Sequence, residues 1–383
     1  MQFRLFRNTL DALRNAFIEV NIMPEKSLSA RSAYWDNAKG ILIALVVLGH
    51  YLFAYYDSGK LNLAGIIVSV IYTFHMPAFI LVSGYFSRSE NAKKAKALIK
   101  LTVAYIIFNY SIMVFAYIFS GVKISLLTPY YSYWYILVII VWRLCIKSLS
   151  KVKGIVSISI VIALLIGFMS EFTNVLALGR IVAFFPFFLI GYKLNPEKAE
   201  KFINGRKPAV NILGAVISAG LLYCAYRAVT FFHISQSALL MSEYKDTNDA
   251  IVRLVLFVVA AAIIVCLAIA IPSKSIPFVG KWGKNSLAIF LLHRVFTILF
   301  AKLLPAAHYN RYYIIFALIA TIITLLVFGL DIVSKLLNTV LDKITDILCA
   351  GREDENSKRL LFLQSGIALL IIGILLLSAF KML

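Results

Sequence analysis

Trp35-Asp36-Asn37-Ala38-Lys39-Gly40-Ile41-Leu42-Ile43-Ala44-Leu45-Val46-Val47-Leu48-Gly49-His50 starts as a polar edge, becomes a continuous apolar run and ends in a histidine. Lys39 and His50 stand eleven residues apart, about three turns of α-helix, so both point the same way along a rise of roughly 16 Å. That rise is about half the hydrocarbon thickness of a bilayer. Asp36, Ile43 and Val46 complete one stripe from the membrane edge to its interior. An ionisable group at that depth is expensive unless it is used or partnered. Position alone leaves two readings open: a histidine that does chemistry, and one that only hydrogen-bonds between packed helices.

The rest of the chain has the composition of such a segment repeated. Hydrophobic residues make up 61% and charged ones 15%, with a mean hydropathy of +0.88. A soluble domain is about half apolar and about a quarter charged, so the expected class is an all-α polytopic membrane protein. The net charge of +20 does not point to nucleic acid, because the basic residues gather in alternate loops between apolar runs. Cys145, Cys224, Cys266 and Cys349 are scattered singly, without disulfide or zinc spacing. The first thirty residues hold no continuous apolar core of the signal-peptide kind.

In chain order, Phe3, Phe6, Leu10, Leu13 and Phe17 recur three and four apart, with Arg7, Asp11 and Arg14 on other faces. They predict an amphipathic helix on the cytoplasmic membrane surface. Eleven spans are expected after it, with ten as the alternative count: 39–57, 62–87, 101–120, 131–147, 154–171, 175–193, 209–232, 250–271, 285–303, 312–331 and 361–380. The Lys/Arg-rich loops, the N-terminal tail and Lys39 hold 28 of the 38 basic residues, all on one side, which sets the N-terminus in the cytoplasm. Residues 331–348 predict a second amphipathic helix, followed by the charged turn 351–355. The expected organisation is a cytoplasmic amphipathic helix and linker at 1–36, a ten-helix membrane domain at 37–331, and an amphipathic segment with a final span at 332–383.

Counted inward from the basic ends at about 1.5 Å per residue, His50, His75, Arg180 and the pair His293-Arg294 fall in one slab near the midplane. So many ionisable groups predict a shared polar central cavity rather than lipid contact. Taken singly, Arg180 also fits a snorkelling cation and His75 a packed, hydrogen-bonded residue. Pro77 predicts a kink in the second span. Ser83-Gly84 lets a backbone or ligand approach near its cytoplasmic end. Arg88, Lys93, Lys94 and Lys96 join Lys39 at that rim, which suits an elongated anionic cytosolic donor or simply a topology determinant. Tyr130, Tyr131, Tyr133, Trp134 and Tyr135 read first as an interfacial aromatic belt and second as a stacking surface for a sugar.

These residues resemble the membrane-bound acyltransferase-3 family of bacterial envelope sugar O-acetyltransferases. Lys39, ten residues and His50 match that family's first-helix pattern, with Lys where Arg is more usual. Phe79 to Tyr85 match its Ser-Gly-Tyr pattern, and Arg180 to Tyr192 and Gly283 to Arg294 are similar to later segments. Asp36 to Gly40 with Phe74-His75-Met76-Pro77 look most like the fucose 4-O-acetylase-like subgroup. The acidic pair that many relatives carry after a mid-chain Trp is absent from Tyr133-Trp134-Tyr135-Ile136-Leu137, so no role of that carboxylate carries over.

The resemblance implies a multi-pass protein of the bacterial inner membrane. Its activity would move acetyl from cytosolic acetyl-CoA to a hydroxyl of an envelope glycan or lipid-linked sugar. His50 would be the general base, with His75, Arg180 and Arg294 as the other catalytic candidates. Lys39, Ser83 and Arg88 would meet the donor. No carboxylate–histidine cluster suggests a metal. The rival readings are an exporter of polysaccharide or lipid-linked sugar, and an acyltransferase for a lipid, peptide or small molecule.

Overall fold

The structure, a computed structural model, describes residues 32–53, 63–88, 92–169, 175–232, 236–303 and 312–349. The expected N-terminal amphipathic helix, the charged turn 351–355 and the span 361–380 lie outside the described residues. Within them the chain is helical: α1 (Ala33–Leu52), α2 (Leu63–Tyr85), α3 (Ala92–Ser120), α4 (Trp134–Leu149), α5 (Ile155–Leu165), α6 (Leu178–Ala183), α7 (Phe185–Lys193), α8 (Pro196–Asn204), α9 (Pro208–Phe232), α10 (Asp249–Ala270), α11 (Val279–Lys284), α12 (Ser286–Leu303), α13 (Tyr313–Phe328) and α14 (Asp331–Leu348). Among the described residues, every apolar run expected between 39 and 331 falls largely on helix.

Among the described residues, six helical segments are long and apolar enough to cross a membrane alone, and eight when each of two bent pairs counts as one span. The difference from the expected ten or eleven has identifiable causes. The polar first turn of α1, Asp36 to Lys39, lowers its hydropathy. α5 ends after eleven residues, before the 3-10 turn Ile166–Phe168. The segment α6–α7 bends by 79° into α8, and α13 bends by 59° into α14. α2 runs unbroken through Pro77.

α1 is the hub, packed by α2, α11, α12 and α13. Two reciprocal glycine contacts set the closest helix approaches. A Cβ on Gly40 of α1 would lie 1.9 Å from the Val279 carbonyl oxygen of α11, and one on Gly283 of α11 would lie 1.7 Å from the Asp36 carbonyl oxygen of α1. Between α2 and α7 the pattern repeats: Gly84 faces the Phe188 carbonyl at 2.0 Å and Gly191 faces the Leu81 carbonyl at 2.0 Å. Small residues let helix backbones touch where lipid supplies no hydrophobic drive between helices. The approach that Ser83-Gly84 invited is therefore that of a backbone, α7.

The basic segments meet at one end of the bundle. The fully buried Asn37 side chain donates to the carbonyls of Pro272 (3.1 Å) and Lys274 (2.7 Å) and accepts from the Ile276 amide (3.0 Å), clamping the turn before α11. Lys193 donates to the Ser150 carbonyl at 3.0 Å. Lys96 and Lys100 of α3 pair with Asp346 (2.5 Å) and Asp342 (2.8 Å) of α14, leaving Ile332, Leu336, Val340 and Ile347 exposed. That apolar stripe suits a helix lying along the membrane interface. By the positive-inside rule this end is cytoplasmic.

Overpacking at the glycine contacts has a direct test. Gly84→Ala and Gly191→Ala are expected to destabilise the bundle by about 1–3 kcal/mol each, read as a lowered melting temperature in detergent. Gly220→Ala, where an added Cβ meets nothing within 4 Å, is expected to leave melting unchanged. Equal melting of all three variants would refute the close-packed contacts.

Candidate active site

His50 sits two residues before the end of α1, and His293 is fully buried in the middle of α12. Their rings stack with centroids 5.1 Å apart at 10°, and His50 Nδ1 lies 2.9 Å from His293 Nε2. His293 Nδ1 has only carbonyl oxygens as partners, Phe290 at 2.7 Å and Ile289 at 3.2 Å. A carbonyl accepts and cannot donate, so Nδ1 of His293 carries the proton and its Nε2 is a lone pair. His50 Nδ1 is then the donor to that lone pair, which leaves His50 Nε2 unprotonated. Among the described residues His50 Nε2 has no hydrogen-bond partner, and His50 stays partly accessible. The relay thus presents one imidazole lone pair at the end of α1, the arrangement a general base requires.

The other slab residues gather around it. His75 on α2 is buried and donates from Nδ1 to the Ile71 carbonyl at 2.7 Å, and its ring packs on Tyr72 at 4.8 Å. His75 and Arg294 lie close enough to His50 to interact with it electrostatically. Arg294 and Arg180 both do so with Tyr72. Arg294 is buried with its guanidinium 4.3 Å from the Tyr131 ring, and its Nε has no partner among the described residues. Arg180 lies 5.1 Å from the Trp134 ring, with its Nε 3.5 Å from the Leu240 carbonyl. His75, His293 and Arg294 thus lie near His50, and Arg180 reaches this group only through Tyr72.

The aromatic run departs from the belt reading. Tyr133 is fully buried and donates to the Leu291 carbonyl at 2.6 Å, and Tyr135 shares a 2.6 Å hydrogen bond with Ser83. Tyr131 and Trp134 lie against Arg294 and Arg180. Tyr133, Trp134 and Tyr135 therefore turn into the bundle, where each hydroxyl or π-face finds a polar partner, whereas Tyr131 stays half exposed, in keeping with the belt reading.

At the cytoplasmic rim the three donor candidates are already engaged. Lys39 pairs with Asp36 at 2.9 Å and lies 5.5 Å from the Phe86 ring. Ser83 donates to the Phe79 carbonyl at 2.9 Å besides its bond with Tyr135. Arg88 donates to the carbonyls of Tyr192 (2.5 Å) and Gly191 (2.8 Å), closing the last turn of α7 and leaving Nη1 without a partner among the described residues. Among the described residues, no group of three or more His, Cys, Asp or Glu comes together to hold a metal.

Sequence reasoning placed His293 in the slab without seeing it as the partner of His50, since 243 residues separate them. Tyr72 was missed, although it precedes His75 by three positions on one helix face. Arg143 falls within the expected span 131–147 and lies inside α4, but its contact with Ser87 was not foreseen.

Comparison with known proteins agrees with this picture. The acyltransferase domain of acyltransferase family 3 matches residues 32–330. The nodulation protein NolL of Mesorhizobium japonicum is 39% identical over 66 residues, covering 17% of this chain and 18% of that relative's own length. No solved structure matches.

The relay makes a spectroscopic prediction. In lipid bilayers, 15N spectra of histidine-labelled protein, assigned against His50→Gln, should show His50 protonated at Nδ1 and bare at Nε2. A protonated Nε2 on His50 would overturn the arrangement.

Proposed function

Because this multi-pass membrane protein belongs to the acyltransferase-3 family, we propose that it transfers acetyl from cytosolic acetyl-CoA to a hydroxyl of an envelope, capsular or exopolysaccharide sugar in the bacterial inner membrane. The observation that carries the reading is the His50–His293 hydrogen bond of 2.9 Å, which leaves His50 Nε2 as a free lone pair. A sugar hydroxyl is a poor nucleophile at neutral pH and needs such a base.

In this mechanism His50 Nε2 takes the hydroxyl proton as the oxygen bonds to the thioester carbonyl carbon. His293 holds the imidazole in place and accepts from Nδ1, so the positive charge of the imidazolium is shared along a buried hydrogen bond. The tetrahedral oxyanion forms against Arg180 and Arg294, whose donors stabilise charge best where water is excluded, while His75, whose N–H is held by the Ile71 carbonyl, lines the site. Collapse breaks the carbon–sulfur bond. The imidazolium then returns its proton to the thiolate, giving free CoA thiol and the acetyl ester. Lys39 meets the donor at the cytoplasmic mouth, and the rings of Tyr131 and Trp134 support the acceptor side.

Loss of the base should lower acetyl transfer by about 10²- to 10⁴-fold. Mass spectrometry of host glycans is expected to show one added acetyl group with the wild-type chain and none with His50→Ala at equal expression. Unchanged acetylation accompanied by loss of surface glycan in the mutant would instead favour an exporter. At the mouth, Lys39→Ala should raise the KM for acetyl-CoA while Lys39→Arg keeps most activity; the reverse order would exclude a phosphate-holding role.

A further inference from the structure

The buried and half-buried arginines of this bundle divide into two groups by what their guanidinium groups touch. Arg88, Arg206 and Arg253 close helix ends. Arg88 holds the carbonyls of Gly191 and Tyr192. Arg206 holds those of Ala268 (2.6 Å), Ile269 (2.9 Å) and Ile271 (3.2 Å). Arg253 holds those of Ala163 (3.0 Å) and Ser242. Unpaired carbonyls at a helix C-terminus attract a cation, so these three have a structural role.

Arg143 and Arg294 make no such cap, and Arg180 makes only one long contact of the kind, to the Leu240 carbonyl at 3.5 Å. Among the described residues no carboxylate pairs with any of them. Arg294 lies beside His50 and Arg180 beside Trp134 and Tyr72, whereas Arg143 stands apart on α4, about 9 Å inward from its cytoplasmic end at Leu149. Its Nε donates to the buried Ser87 hydroxyl at 3.1 Å, and its side chain stays partly accessible. An intramembrane arginine without a counter-charge calls for an anion from outside the chain.

Its surroundings run toward the candidate base. Ser83 lies in the last turn of α2 and Ser87 in the turn just after it, and Tyr135 and Arg143 lie about 12 Å apart on α4. The two pairs touch across the helices, Ser87 with Arg143 and Ser83 with Tyr135. They make a polar seam inside an otherwise apolar contact. At its inner end the Tyr135 ring packs on Phe290 at 5.2 Å, and Phe290 packs on His293 at 5.8 Å. The seam thus links the cytoplasmic face to the histidine pair.

We propose that this α2–α4 seam is the donor channel, in which Arg143 binds the diphosphate of CoA and Ser83, Ser87 and Tyr135 accompany the thioester arm toward His50. The assignment rests on acetyl-CoA being the donor, as proposed above. It makes Arg143 a binding residue and leaves Arg88 as the cap of α7.

The test is binding of CoA and of S-acetyl-pantetheine, which has the same arm without phosphate, to the full chain in lipid nanodiscs. Arg143→Gln is expected to weaken CoA binding by about 10- to 100-fold, with S-acetyl-pantetheine bound as by wild type, and Arg143→Lys is expected to recover part of the loss. Unchanged CoA binding by Arg143→Gln would overturn the proposal. So would an equal loss for both ligands, which a merely structural arginine produces, with a lowered melting temperature as its companion. A wild-type chain that binds CoA through Arg143 but acetylates no glycan would refute the proposed function and leave the phosphate site standing. One that binds no CoA would refute both.

Discussion

The hydrogen bond between His50 and His293 sets the terms for the rest of the structure. Two imidazoles can share one proton position only if a third group fixes which nitrogen is bare. The carbonyls of Phe290 and Ile289 do so from within α12. That fixes the tautomer of His293, hence that of His50, hence the lone pair at the end of α1. The arrangement requires α1 and α12 to keep their relative height to within a few tenths of an ångström. α11 is short and leads directly into α12, and it is seated on α1 by Gly40, Gly283 and the Asn37 clamp. The polar first turn of α1 is therefore part of the site's foundation, although it lies about 20 Å from His50.

The same economy explains the arginines. A guanidinium in an apolar bundle has five donors to satisfy, and the chain offers few intramembrane carboxylates to pair with it. Helix ends supply what is missing, because their last carbonyls have no intrahelical partner. Arg88, Arg206 and Arg253 join loops to helix ends in this way, which makes them struts between elements distant in sequence. The arginines that find no helix end are those beside the histidines and along the α2–α4 seam. Chemistry is left to the cations that the fold does not consume.

Much of this was legible in the sequence, and the limits were physical. Apolar runs between basic loops located the helices, because a bilayer forces the backbone to satisfy itself within each segment. Depth counting brought His50, His75, Arg180, His293 and Arg294 to one level, since helical rise is nearly constant. Pairing was not legible: the Asn37 clamp and the histidine relay join residues more than 230 positions apart. The start of α1 at Ala33 was hidden by Asp36, Asn37 and Lys39, which look like loop residues until their partners are known. Tyr133 and Tyr135 were misread because an aromatic with a hydroxyl satisfies a lipid interface and a polar interior equally well by composition. Arg143 fell within an expected span, but its partner Ser87, 56 positions away, was no more legible than the other pairings.

The motif residues that carry the family likeness do two different jobs. Gly40, Gly84, Gly191 and Gly283 lie inside the quoted motifs, and each is held by a carbonyl oxygen closer than a Cβ tolerates. Asn37 and Asn285 tie turns, Asn285 by donating to Gly329 and Asp331 at the bend into α14. Lys39, His50, His75, Ser83, Arg180, His293 and Arg294 instead keep polar atoms turned toward the interior or the rim. A motif here is a strut and a reagent placed within one or two turns of helix. The reagent needs the strut beside it, because a hydrogen-bonded base loses its geometry with any slip of the helix that carries it.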